Sequence, residues 1–349
     1  MNLTIANSQT SYGDCVGNWG GTLNLVGVGF YANDAGAYAN PSGQVAGGAI
    51  VNRGGTVNAT NCSFSGNRVR VLPPASGGST WMGGGAIRNE SGQVNLMQCS
   101  FTGNRADGVM GPATSPDIPP VPGAAAGGAI QNNGTLTLDL CTFANNSATG
   151  CAAPGAYIRY PGSTGGAGAG GAILNLGNLV AKRVNFVANT AVSGNGGAGG
   201  SSDPRTGPGG NRGGPAGLAS GGVIFNLGTL SVDATMFASN TASGGTGGAG
   251  CSGPSAFGFV GAGFRGGSGG AGQGATLFNG GTAVVANSTF AWNSALGGLG
   301  GSGGSGGSST TGSGAWGGPG GNGGVAWGVI CDTNGSLSIA NCTDRKSVV

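Results

Sequence analysis

The sequence predicts an all-β chain wound as a parallel β-solenoid of about seven coils, on three observations. A segment returns along the chain, as GGAIQNNGTLTLDLCTFANN at 127–146, GGAILNLGNLVAKRVNFVAN at 170–189 and GGVIFNLGTLSVDATMFASN at 221–240, with looser copies at 47–67, 84–104 and 274–293. Asn and Phe stand at fixed offsets in every copy. Between them apolar and polar residues alternate with period two, and no stretch shows helical spacing with caps.

Each coil opens on GGAI, whose Ala-Ile pair starts one strand. A first Asn follows after one residue: Asn52, Asn89, Asn132, Asn175, Asn226 and Asn279, with Asp332 in that place in the last coil. The second strand carries an apolar pair on one face, Leu136 and Leu138, set between Thr135, Thr137 and Asp139. Its counterparts are Leu23/Leu25, Val57/Ala59, Val94/Leu96, Leu179/Ala181, Leu230/Val232, Ala283/Val285 and Leu337/Ile339. The third short strand holds a Phe three residues before a second Asn: Phe30/Asn33, Phe64/Asn67, Phe101/Asn104, Phe143/Asn146, Phe186/Asn189, Phe237/Asn240 and Phe290/Asn293.

Three such strands joined by Gly and Asn corners bury their apolar faces only by stacking on neighbouring coils, at the interstrand spacing of about 4.8 Å. Stacking sets each Phe on the next Phe. It also sets each Asn amide on the next, so that both Asn columns run as hydrogen-bonded ladders along the axis. Asn and Gly tolerate the left-handed backbone that tight corners need. The pairing of GGAI-x-N with F-x-x-N resembles the repeats of chlamydial polymorphic outer-membrane proteins and similar secreted bacterial repeat proteins. That resemblance covers most of the chain outside its insertions. It implies a right-handed, pectin-lyase-like β-helix exported to the cell surface or beyond, often as an adhesin-like passenger. Neither a membrane β-barrel nor an export signal is visible beside it.

Of 349 residues, 84 are Gly and 15 Pro, and only 7% are charged. Without periodicity that composition would mean a low-complexity chain; with it, the 38% of hydrophobic residues supply a thin, repeated core. A net charge of +3 and no long basic run argue against nucleic-acid binding through phosphate neutralisation. The absence of His removes His-based triads and His metal sites. No apolar run reaches membrane-spanning length. Eight Cys without a C-x-x-C pair give no zinc or redox motif, and no cofactor is expected. Cys62, Cys99 and Cys141 share one inward position with Cys342, where either disulfides between neighbouring coils or buried free thiols fit.

All length variation falls between the second Asn and the next GGAI, at 68–83, 105–126, 147–169, 190–220 and 241–273, so the insertions leave from one edge. Two readings stand for them. They are flexible Gly-rich loops, or their GGx tripeptides form polyproline II segments packed where only Gly fits, expected for 190–220 and beyond. Several carry Arg with aromatic residues: Arg68 and Arg70 with Trp81, Arg159 with Tyr157 and Tyr160, Arg265 with Phe264. A glycan or partner could stack there; scattered solubilising charge is the plainer explanation.

Asp139, Lys182 and Asp233 share one outward register on three consecutive coils. Coil spacing puts the two carboxylates roughly 9–10 Å apart, near the separation of an inverting glycosidase pair. The competing reading is a solvated charge ladder with Lys182 between two Asp partners. No further carboxylates gather there, so the chain is expected not to be an enzyme. A column of Thr22, Thr56, Thr135, Thr229 and Thr282 suggests an ice-binding array, but Gln93 and Asn178 interrupt it.

The expected organisation is a single solenoid domain over 1–343, an internal piece of a longer repeat protein. LTIANSQT at 3–10 matches LSIANCTD at 337–344, so the chain begins part-way round a coil. DRKSVV at 344–349 stands where a Phe is due after Thr343; it resembles a translated sequencing adapter and reads as a non-native tail. The expected role is structural or adhesive, a stalk or fibre outside the cell. The alternatives are a polysaccharide-binding or polysaccharide-cleaving β-helix and an ice-binding solenoid. Expected partners are other copies through uncapped solenoid ends, or a glycan or surface ligand.

Overall fold

The computed structural model describes residues 3–10, 15–36, 47–72, 83–111, 120–155, 160–201, 211–256, 259–308 and 314–348. Among them there is no helix, and every strand except one short antiparallel pair, Ser255–Ala256 with Phe259–Val260, joins a parallel sheet. The chain is a parallel β-helix. A representative coil runs through Ile130–Asn132, Thr135–Asp139, Thr142–Ala144 and Ser147–Thr149, then returns through Gly168–Ala169 to Ile173–Asn175 of the next coil.

The expected strands stack in the expected register. Ile130–Asn132 and Thr135–Asp139 both belong to a 14-stranded sheet, and in two earlier coils their counterparts fuse into Ile50–Thr60 and Ile87–Met97. The Phe strands form a nine-stranded sheet in which Phe101 pairs with Phe64 on one side and Phe143 on the other. Inside lies one continuous core, built from the GGAI isoleucines, the apolar pairs, the Cys column and the Phe column.

Two further sheets depart from the sequence reading. Residues counted as the start of each insertion are strands: Arg68–Val71, Arg105–Gly108, Ser147–Thr149, Thr190–Val192 and Thr241–Ser243 lie in an eight-stranded sheet. Ser147–Thr149, Thr190–Val192 and Thr241–Ser243 each bury one small Ala, and Arg68–Val71 and Arg105–Gly108 bury two residues each, too short a pattern for alternation to show. The fourth sheet, of five strands, pairs the two residues just before GGAI.

The opening residues are also placed differently. Thr4–Ala6 pairs with Gly29–Tyr31, which sets Ile5 beside Phe30 in the Phe sheet. Ser336–Ala340, its apparent sequence match, pairs with Thr282–Ala286 in the 14-stranded sheet. The match misleads because both strand types end in the same left-handed corner, with φ 54° at Asn7 and 53° at Asn341. Further on, Thr343–Arg345 continues the Phe sheet with Asp344 opposite Phe290.

Corners hold their shape whatever residue occupies them. Leu140, Arg183, Ala188 and Ala234 take φ of 54°, 54°, 53° and 48°, alongside Asn61, Asn145 and Asn287. A left-handed backbone costs a non-Gly residue roughly 1–2 kcal/mol. Stacking offsets it, since each corner amide reaches a carbonyl of the next coil: Leu140 N donates to Lys182 O at 3.2 Å and Ala188 N to Ala238 O at 3.0 Å.

The Gly-rich insertions form a packed layer. The outgoing arm at 297–307 donates from Gly298, Gly301, Gly304 and Gly307 to the carbonyls of Gly270, Gly267, Phe264 and Gly261, at 2.8–2.9 Å. Outgoing arms also stack on one another, Gly247 N on Leu299 O and Gly250 N on Ser302 O, and returning arms likewise, Gly266 N on Pro319 O and Gly269 N on Asn322 O. Contacts every third residue are the period of polyproline II, which has three residues per turn and no internal hydrogen bonds. None of these glycines has a left-handed φ. They are glycine because a Cβ on Gly267, Gly270 or Gly301 would overlap the carbonyl oxygen of Gly214, Gly217 or Gly248. Of the two readings, the packed one holds over the described residues; 202–210, 257–258 and 309–313 of the expected stretch lie outside them.

Candidate functional site

The two Asn columns are the most completely satisfied polar groups in the interior. In the first, each Nδ2 donates to the Oδ1 of the next coil: Asn52 to Asn89 at 2.9 Å, Asn89 to Asn132 at 2.8 Å, Asn132 to Asn175 at 2.8 Å, Asn175 to Asn226 and Asn226 to Asn279 at 2.7 Å. Asn279 ends it on Asp332 Oδ1 at 2.6 Å. The amides of Asn52, Asn132, Asn175, Asn226 and Asn279 also bridge the two strands of their own coil, as Asn132 does to Gly134 O at 3.1 Å. Sequence reading missed the first rung, Asn18, which donates to Asn52 at 2.8 Å. The signal was there: Asn18 precedes Thr22 by the offset that separates Asn52 from Thr56.

The second column runs Asn33, Asn67, Asn104, Asn146, Asn189, Asn240 and Asn293, with amide contacts of 2.8–3.1 Å. From Asn67 onward each Oδ1 also accepts the backbone N–H of the preceding Asn, and each Nδ2 donates back to the preceding coil's Phe carbonyl, as Asn104 does to Phe64 O at 2.9 Å; Asn33 makes the same contacts with Ser8 N and Ile5 O. Every member is fully buried. The Phe column stacks beside it, from Phe30 to Phe290, with ring centroids 4.6–5.2 Å apart.

All four sulfurs of the inward column are free thiols. Their position explains the residue choice. Cys62, Cys99 and Cys141 point back at the carbonyls of Thr60, Met97 and Asp139, each at 3.4 Å, across the left-handed corner. Thr235 and Ser288 make the same contact with their hydroxyls, at 3.0 and 2.7 Å, and Cys342 makes it at 3.2 Å. Six coils place a small donor there, and Val28 and Val184 fill the same position in two others. Burial pushes the Cys62 thiol up, and the adjacent Cys141 sulfur together with burial pushes up that of Cys99.

The outward carboxylates keep the expected register, Asp139 beside Lys182 and Lys182 beside Asp233. Lys182 is not the partner of Asp139, however. Arg183, turned by its left-handed corner, grips Asp139 with Nε at 3.0 Å and Nη2 at 2.5 Å. Asp233 accepts from Asn287 Nδ2 at 2.8 Å. The Thr column also pairs as expected, and Gln93 and Asn178 interrupt it in place.

Arg68 and Arg70 belong to the eight-stranded sheet, where they pair with Asp107 and Asp34, both at 2.6 Å. Arg265 Nη2 donates to Asn322 Oδ1 at 2.8 Å, between consecutive returning arms. Trp81, Tyr157 and Arg159 lie outside the described residues. An unexpected aromatic contact sits on the outer face instead, with the Arg53 guanidinium 4.4 Å over the Trp19 ring and paired to Glu90. Among the described residues no group of three or more His, Cys, Asp or Glu is placed to hold a metal ion, and no helix is long and apolar enough to cross a membrane.

Compared with known proteins, the chain matches no family model, no curated protein and no solved structure.

Proposed function

We propose that the chain is a structural rod of a secreted or cell-surface protein, non-enzymatic, with a stalk, fibre or adhesive role. The observation that carries this reading is the packed glycine layer: the insertions that would form a mobile binding rim in a loop-decorated solenoid are instead hydrogen-bonded arms, coil on coil. Polar groups elsewhere are spent on repetition, in two Asn ladders and a corner column. The two outward carboxylates are engaged by Arg183 and Asn287, which favours the solvated-ladder reading over an acid/base pair. Placement outside the cell is supported by the resemblance of the paired GGAI-x-N and F-x-x-N motifs to surface-protein repeats.

The test is mechanical. Held at its two ends in single-molecule force spectroscopy, the chain should resist as one cooperative unit, and Gly267→Ala, which splits the glycine layer, should lower the force at which resistance fails. Extension at the low forces of an unfolded polymer overturns the rod. So does saturable cleavage of a polysaccharide by the wild-type chain that Asp139→Asn abolishes.

A further inference from the structure

Charge is spread unevenly over the chain. The insertions at 147–169, 190–220 and 241–273 contain Arg159, Arg205, Arg212 and Arg265 against Asp203 alone, a surplus equal to the whole net charge of +3. Elsewhere acidic and basic residues balance. Each Arg described before residue 190, namely Arg53, Arg68, Arg70, Arg88, Arg105 and Arg183, is paired with a carboxylate at 2.5–3.9 Å. Arg212 and Arg265 have no carboxylate partner among the described residues, and both are exposed. Arg159, Asp203 and Arg205 lie outside those residues.

The returning arms set these two Arg side by side. Gly162 N donates to Arg212 O and Gly213 N to Arg265 O, both at 3.0 Å. The same donor pattern, Ala219 N on Ala271 O, places Ala219 abreast of Gly272. Pro161, Arg212 and Arg265 therefore stand abreast on three consecutive arms. Like charges directly opposite on neighbouring strands repel, so solubility alone is a poor reason to keep them adjacent. The flanks of the pair are neutral. Tyr160, 40% exposed, precedes Pro161, and its carbonyl accepts Gly200 N at 3.2 Å. On the other side, Arg265 Nη2 donates to Asn322 Oδ1 of the next returning arm at 2.8 Å. The row crosses four consecutive coils, with a phenol ring at one end, an exposed amide at the other and two guanidiniums between.

We propose that this row binds an acidic polysaccharide, a chain of uronic acid residues laid across the returning arms along the solenoid axis. Each guanidinium would hold a carboxylate by a forked pair of charge-assisted hydrogen bonds. Tyr160 and Pro161 would pack against a sugar face, and Asn322 Nδ2 would donate to a hydroxyl. A polyuronate repeats its carboxylate from sugar to sugar, which suits guanidiniums repeated from coil to coil. A polyphosphate suits the row less, because affinity for it grows with the number of phosphates neutralised and only two cations stand here. The hydrogen bonds that lock the arms together fix the row in advance, so little backbone freedom is lost on binding. The site does not depend on the rod's mechanical role.

The experiment titrates the whole chain, labelled for NMR, with an oligogalacturonate at low ionic strength. The Nε–H signals of Arg212 and Arg265 should shift together and saturate, and added salt should weaken binding, because exposed charges are screened. Arg212→Gln with Arg265→Gln should leave the melting temperature unchanged and raise the Kd about tenfold or more. The corresponding double Lys variant, which keeps the charge and loses the fork, should fall between that variant and wild type. Absence of these shifts at millimolar ligand overturns the proposal, as does binding that the double Gln variant leaves intact. A neutral oligoglucan bound equally well removes the charge assignment, and inorganic polyphosphate bound more tightly removes the choice of a polysaccharide.

Discussion

Phe143 and Phe186 stack with their ring centroids 5.1 Å apart and their planes 26° from parallel, whereas Phe101 and Phe143 lie 4.6 Å apart within 3°. The tilt falls where the inward column two residues upstream changes from Cys141 to the β-branched Val184. The stack stays wider at Phe186–Phe237, 5.2 Å.

Phe186→Ala should cost about 3–5 kcal/mol, since the ring is fully buried between two others and rigid coils above and below cannot close the gap. Urea unfolding with an unchanged slope checks it. Val184→Cys should draw the rings toward parallel and cost far less.

Asn132→Ala strands the Asn89 donor on one side and the Asn175 acceptor on the other, both buried. At about 1–3 kcal/mol for each unsatisfied buried group, the loss should be about 2–6 kcal/mol. Asn18→Ala, at the first rung, breaks one such contact and should cost less than Asn132→Ala in the same thermal melts.

How much of this was legible in the sequence depends on how far each signal repeats. The Phe and Asn columns recur in every coil at fixed offsets, so strand identity, register and both ladders could be read before any coordinates. Val69, Ala106 and Ala148 belong to a sheet that buries only one or two residues per coil, which periodicity cannot detect. Asn18 stood at the right offset but lacked the GGAI that flags the others. The partner of Asp139 was misread because strand alternation assigns Lys182 to it, while the corner φ of 54° swings Arg183 across instead. Such a corner is invisible in a residue that normally avoids it.

Asp139→Asn and Arg183→Ala should leave the melting temperature essentially where it is. Arg183 is well exposed, and exposed pairs of this kind contribute little in water. A pronounced loss in either variant would mean that the corner itself depends on the ion pair.

Gly301→Ala should be strongly destabilising, because the added methyl would overlap the Gly248 carbonyl inside the layer. Gly155→Ala, with no described residue within 4 Å of the added carbon, should be neutral or slightly stabilising. Equal melting temperatures for the two would show that the arms separate freely.

Thiols of Cys62, Cys99 and Cys331 are held protonated by burial, with the neighbouring Cys141 sulfur the larger cause at Cys99. Folded pKa values above the unfolded value of about 8.5 mean that this contribution is complete below that pH and is lost as pH climbs beyond it. Stability should therefore fall on the alkaline side. Cys62→Ser with Cys99→Ser, which keeps a donor at the corner as Ser288 does, should flatten the fall relative to wild type. A native-state alkylating reagent should reach Cys251 and Cys342 before Cys62, Cys99 or Cys141.

The three-residue beat of the glycine arms makes their length a counted quantity. Arms meet their neighbours at Gly298, Gly301, Gly304 and Gly307, so adding or removing one full Gly-Gly-x unit moves every distal residue onto an equivalent place. A change of one or two residues turns side chains into the seam from that point to the tip. Such a layer can lengthen in the way a ruler does, by whole divisions, and its coding sequence can grow in blocks of nine nucleotides without disturbing a coil beneath.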